Sequence, residues 1–228
     1  MKSATVLLFL AASSALGQGM FQNLDFEQTT VLQTSQTNNV SALDGLPGWT
    51  VYASTNQLTF VGFNNACLSA TCVSLLGTNG DPVFGYRSFD GGFSVLLQGG
   101  LSGSGPNQYP SAASIRQTGV VPATARSMVF EARPDIGFLS VLVDGASVPY
   151  STLSNSPNYT LFGADVSKFA GQTVELQFSV TRQSGTPQSS WILDSIQFSD
   201  LAIPEPRAIP LLLLGGATLW ARHRRQKR

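Results

Sequence analysis

The stretch Thr173-Val174-Glu175-Leu176-Gln177-Phe178-Ser179-Val180-Thr181 decides the fold class. Val174, Leu176, Phe178 and Val180 alternate with polar neighbours, a period of two that sets one face of a β-strand in a core and the other in water. The same grammar recurs on both sides. Trp191–Phe198 reads as the last strand, and Phe93-Ser94-Val95-Leu96-Leu97-Gln98 as a strand bounded by Gly91-Gly92 and Gly99-Gly100. Phe138–Val143 and Ala146–Tyr150 flank Asp144-Gly145, whose positive φ preference predicts a type I′ hairpin turn.

Further upstream, Ala113–Thr118 and Ser127–Ala132 are strands, and the Gly-, Ser- and Pro-rich Ser102–Ser111 is an exposed loop carrying Tyr109. Gln57–Phe63 is a β-branched and aromatic run that ends near two cysteines. Leu46-Pro47-Gly48 turns the chain into Trp49–Tyr52, and Asn23-Leu24-Asp25-Phe26-Glu27 is the expected first strand. About nine short strands without an amphipathic helix predict an all-β domain, an antiparallel β-sandwich. Trp49 and Trp191 are expected in its core.

The two ends read differently. Met1-Lys2, the apolar Ala4–Leu16 and the small residues Ala15 and Gly17 describe a secretory signal peptide over 1–17, with cleavage before Gln18. The chain closes with Pro204-Glu205-Pro206, an uncharged apolar run over 208–221, and the basic residues Arg222, Arg224, Arg225, Lys227 and Arg228. The prolines end any strand. As a helix the 14-residue run spans roughly 21 Å, short of the roughly 30 Å hydrocarbon core. The basic cluster holds its end on the cytoplasmic side. Segment 208–221 is therefore expected to be a short, marginal transmembrane helix; a permanent anchor that thins the bilayer is the alternative.

This three-part pattern resembles the PEP-CTERM sorting signal of Gram-negative bacteria, over residues 203–228. The resemblance implies an exported protein held transiently in the inner membrane by its C-terminal helix. An exosortase, a membrane cysteine protease, would cut it near Pro204-Glu205-Pro206 and release it to the cell surface or extracellular matrix. Such substrates often come from organisms that make extracellular polysaccharide.

Between the ends, residues 18–202 form the expected ectodomain, long enough for one core. It carries 12 acidic and 6 basic residues, a net charge of −6 hidden by the neutral total of the whole chain. That sign argues against nucleic acid as a partner. The single histidine is His223, in the basic tail, so Ser-His-Asp, Cys-His and histidine–zinc sites are excluded from the ectodomain. Cys67 and Cys72 read as a local disulfide in an exported protein; a metal pair is the weaker alternative, because two thiolates need further ligands. Asn39-Val40-Ser41 and Asn158-Tyr159-Thr160 match the glycosylation pattern, an accidental match in a bacterial chain.

A second resemblance rests on Asn23-Leu24-Asp25-Phe26-Glu27, Pro47-Gly48-Trp49, Phe169–Phe178 and Leu193-Asp194-Ser195-Ile196-Gln197-Phe198. Together they resemble galactose-binding-type jelly rolls, a fold shared by carbohydrate-binding modules, over 21–200. The resemblance implies a jelly-roll ectodomain that requires no cofactor for chemistry. It also implies a structural calcium held by a final-strand acid, here Asp194, and a first-strand acid, here Glu27. From the residues alone, Ile192, Asp194, Ile196 and Phe198 share one strand face, and a carboxylate there needs a partner or a cation. Oxygen ligands would suit calcium. The alternative places Asp194 on the outer face or beside an arginine.

Sugar recognition needs an exposed aromatic ring with polar groups beside it. Tyr86, Arg87, Phe89 and Asp90 form one candidate cluster, and Tyr109, Tyr150 and Tyr159 are others; each could equally be a rim residue without a ligand. The reading is a non-catalytic exported protein that binds polysaccharide. A purely structural matrix or envelope protein is the alternative, and a glycan hydrolase with paired carboxylates is the third.

Overall fold

The computed structural model describes residues 20–34, 38–103 and 105–203. The expected signal peptide, Pro204-Glu205-Pro206, the apolar segment 208–221 and the basic tail lie outside these residues. Among the described residues no helix is long and apolar enough to cross a membrane.

The described chain is all-β and almost wholly antiparallel, built of fourteen strands. In order they are β1 (Asn39–Ser41), β2 (Thr50–Ala53), β3 (Asn56–Leu58), β4 (Phe60–Phe63), β5 (Cys72–Gly77), β6 (Phe93–Ser102) and β7 (Tyr109–Val120). Then follow β8 (Ser127–Ile136), β9 (Leu139–Val143), β10 (Ala146–Ser147), β11 (Tyr150–Asn155), β12 (Thr160–Asp165), β13 (Thr173–Thr181) and β14 (Ser189–Ser199). Among the described residues the one α-helix, α1 (Ala42–Gly45), is a single turn capped by the Ser41 hydroxyl.

The sheet doubles over into two layers. The first runs β10-β9-β13-β7-β2-β3, and the second runs β1-β4-β5-β6-β14-β8-β12-β11, with β4 and β5 parallel. They join where Gly100–Ser102 of β6 pairs with Tyr109–Ser111 of β7. At this corner a Cβ on Gly99 would sit 2.5 Å from the Val180 carbonyl oxygen, so glycine is what lets the strands cross.

The alternation along β13 does what its period demands. Phe178 stands opposite Ile115 on one side and Val141 on the other, and all three are buried. Its ring meets Trp49 and, across the layers, Phe130 at a centroid distance of 5.4 Å. Trp49 and Trp191 belong to this core. The hairpin turn has φ +50° at Asp144 and +72° at Gly145, as its dipeptide predicts.

Three readings need correction. Asn23–Glu27 is not a strand: Asn23 and Phe26 have positive φ, and the segment is a plug that drives Phe26 into the core against Trp49. Its polar groups are met locally, because Trp49 Nε1 donates to the Asn23 carbonyl and Asn23 Nδ2 to the Pro47 carbonyl. Tyr109 opens strand β7 rather than sitting within a loop. The two-residue period of the last strand breaks after Asp194. Ser195 has φ +46° and a register shift separates Asp194 from Gln197, so a bulge turns Ile196 into the main core while Ile192 faces outward.

Candidate functional site

The outer face of the second layer is where aromatic, basic and acidic side chains meet. Ser94 and Leu96 of β6, Leu76 of β5, and Ile192 and Asp194 of β14 point outward there, and the loop over 78–92 folds across them. Phe84, Tyr86 and Phe89 pack on a small apolar cluster of Ala66, Leu76, Leu96 and Ile192, separate from the main core.

Asp81 shapes the loop. Its Oδ1 accepts from the amides of Val83 and Phe84 at 2.9 and 2.6 Å, and its Oδ2 accepts from Ala66 at 2.8 Å. The Asp81 amide donates to the Tyr86 carbonyl at 2.6 Å, closing the turn. Gly80, at φ +69°, makes the closure possible, since a Cβ there would lie 2.6 Å from that of Arg87. The Cys67–Cys72 disulfide sits beside Ala66 and braces the same corner.

On this scaffold Phe84 and Tyr86 stack with centroids 5.6 Å apart. Tyr86 donates its hydroxyl hydrogen to Asp135 Oδ2 at 2.5 Å. Burial, then the bond and charge of Asp135, push the Tyr86 hydroxyl up to about 12, with Ser190 and Arg133 pulling the other way. The Ser190 hydroxyl is buried and near enough to Tyr86 to be felt, yet it makes no hydrogen bond of normal geometry. Arg133 is half-buried, and burial chiefly lowers its pKa; the positive charge of Arg87 adds to the effect, while Tyr86 and Asp135 oppose it. Glu131, Arg133 and Asp135 alternate along β8 and so share this face. At its far side Phe89 meets Tyr159 at 5.6 Å. The Glu131 carboxyl beside them is raised, mainly by burial and also by Asp90, and its Oε2 is buried without a partner.

Beneath the loop lies Asp194, 1% exposed. Ser94 Oγ donates to its Oδ2 at 2.6 Å and the Ser195 amide to its Oδ1 at 2.8 Å. Burial first, with the charges of Asp90 and Glu27 adding, pushes the carboxyl up to about 8. Asp90 Oδ2 accepts from Ser195 Oγ at 2.9 Å, and Glu27 Oε1 accepts from the amides of Gly92 and Phe93 at 2.8 and 2.9 Å. Asp194 is therefore on the outer face, buried by the loop rather than by the core.

The oxygen chemistry of Glu27 and Asp194 would suit calcium, but protein donors already hold both carboxylates. Among the described residues no group of three or more Asp, Glu, His or Cys is placed to hold a metal ion. Glu131 and Asp194 are directly paired across β8 and β14, and the burial of Asp194 keeps that acid out of reach of a substrate.

The structure thus brings Tyr86, Arg87 and Asp90 to one face, with Arg133, Asp135 and Tyr159. It leaves Tyr109 aside, half-exposed at the junction of the layers, and Tyr150 inside, its hydroxyl bonded to the Leu139 carbonyl. Arg133 and Asp135 were not singled out from sequence, although their alternation with Glu131 is visible there. Asp81 was also missed, and Asn79-Gly80-Asp81-Pro82 is a turn signal that could have found it. A cleft of about 470 Å³, lined by Thr30, Val31, Leu32, Asn39, Val40 and Asp44 among others, lies beside α1 and contains none of these groups.

No protein-family model matches the chain, and no curated protein matches it. Among solved structures it is similar to the apo form of a cyclase from Fischerella sp.. The match has 13% identity and a TM-score of 0.45, covering 79% of this chain and 94% of that one.

Proposed function

We propose that this chain is an exported, surface-directed protein whose β-sandwich binds polysaccharide without catalysis. The observation that carries the reading is the patch that Tyr86 and Arg87, on a loop that Asp81 and the disulfide hold in shape, form with Arg133 and Asp135 of β8. A stacked aromatic pair offers an apolar platform to a sugar ring, and the charged groups beside it supply directed bonds to hydroxyls. Holding the loop in advance spares a ligand the entropy of ordering it. The two-layer antiparallel architecture supports a jelly roll of the galactose-binding type. The apolar segment with its basic tail supports sorting by a PEP-CTERM-like signal, cut by an exosortase-type protease.

The test is a glycan-array screen of the purified chain with Tyr86→Ala and Tyr109→Ala as variants. Saturable binding that Tyr86→Ala removes and Tyr109→Ala keeps is the expected result. An array without any ligand for the unmutated chain would overturn the reading in favour of a structural matrix protein.

A further inference from the structure

Resting on that reading, we infer that the patch selects an acidic glycan, one whose sugars carry carboxylate or sulfate ester groups. Arg87 follows Tyr86 in the loop, Arg133 shares its face of β8 with Asp135, and the Tyr86 hydroxyl bonds Asp135 at 2.5 Å, so the fold brings the two arginines to one patch. Neither guanidinium makes a hydrogen bond or an ion pair to a described residue; the ion pair among those residues is Arg116–Glu175, elsewhere in the fold. Arg133 is half-buried, and a partly desolvated cation without a hydrogen-bonded partner carries a desolvation cost. An anionic group between the two arginines offsets that cost, and a planar guanidinium can bind it through two parallel bonds.

The nearest acid does not do this work. Asp135 faces Arg133, but its Oδ2 is taken by the Tyr86 hydroxyl, and no oxygen of Asp135 comes within ion-pair distance of either arginine. The buried Ser190 hydroxyl supplies one more polar group without a partner at the same place. The sugar ring would lie on Phe84 and Tyr86, with its acidic substituent toward the arginines.

The rest of the surface makes the inference sharp. Residues 18–202 carry a net charge of −6, so the bulk charge of this domain opposes adhesion of a polyanion. Binding of an acidic polymer through this domain must therefore come from a local site. The basic residues 222–228 are the other cationic stretch of the full chain, and retardation that both arginine variants keep would assign binding there and overturn the inference.

Affinity electrophoresis of the full chain through gels containing polygalacturonate, dextran sulfate or neutral dextran tests this. Retardation by one or both acidic polymers and not by dextran is expected; which one retards it separates uronate from sulfate ester. Arg133→Gln, and independently the exposed Arg87→Gln, should each weaken that retardation by about tenfold, the scale of a lost charged hydrogen bond. Added salt should weaken it as well. Equal retardation by dextran, lost in Tyr86→Ala but unchanged in both arginine variants, would keep the glycan reading and overturn the acidic class. Retardation by no polymer would overturn both.

Discussion

Tyr86 and Asp135 share a hydrogen bond of 2.5 Å across 49 positions of sequence, tying the loop over 78–92 to the edge of β8. The bond fixes the Tyr86 ring, and Phe84 stacks against it. Tyr86→Phe keeps the ring and loses the tether. Because Asp135 is exposed and can be solvated, the expected loss of stability is under about 1 kcal/mol. Polysaccharide affinity should fall several-fold in the same variant. Thermal melts and titration calorimetry on one preparation separate the two effects.

The loop itself depends on Asp81. Asp81→Ala leaves the amides of Ala66, Val83 and Phe84 without their acceptor. Unmet donors of this kind cost about 1–3 kcal/mol, and the melting temperature should drop accordingly. Cys72→Ala opens the disulfide beside Ala66. Its loop is short, so the expected cost is near 2 kcal/mol, the low end for such bonds. Both variants should lose ligand affinity through loop disorder, seen as faster amide exchange across 79–90.

Asp194 makes stability fall with pH. Its carboxyl titrates near 4 in the unfolded chain and near 8 in the folded one, so between these values the folded state holds a proton that the unfolded state lacks. Its contribution is full below the lower pKa and is lost as pH rises through the upper one. Asp165 acts in the opposite sense, because bonds from Ser167 hold its carboxyl low and favour folding at higher pH. The difference between variants isolates Asp194. Asp194→Asn should flatten the decline of melting temperature between pH 5 and pH 8, and it should be the more stable protein at the alkaline end.

Calcium is open to a direct check. With Glu27 and Asp194 already held by Gly92, Phe93, Ser94 and Ser195, millimolar calcium should leave the melting temperature within about 1 °C of that in chelator, since only binding to the folded state raises it. A clear rise that disappears in Asp194→Asn would show that these side chains rearrange around an ion.

How far the fold could be read from sequence varied with the kind of signal. The alternation of Val174, Leu176, Phe178 and Val180 was enough to read a strand with one face in the core, because a period of two leaves no choice of face; its neighbours β7 and β9 were not legible there. The same rule misled at Asp194, where one residue in a left-handed conformation, Ser195, reversed the faces beyond it. Asn23–Glu27 alternates like a strand, yet positive φ at Asn23 and Phe26 bends it into a plug. Tyr86, Arg87 and Asp90 could be named as a cluster because they are neighbours in sequence. Arg133 and Asp135 could not, since only the folding of the 78–92 loop across β14 toward β8 sets them beside Tyr86.

The most direct measurement compares the unmutated chain with Tyr86→Ala and Tyr109→Ala by titration calorimetry against the extracellular polysaccharide of the producing cells. Saturable binding is expected for the unmutated chain and Tyr109→Ala, with Tyr86→Ala weakened at least about tenfold while its melt remains cooperative. Equal binding by all three proteins would remove the site from the loop over 78–92. Heat of dilution alone for the unmutated chain would contradict polysaccharide binding itself.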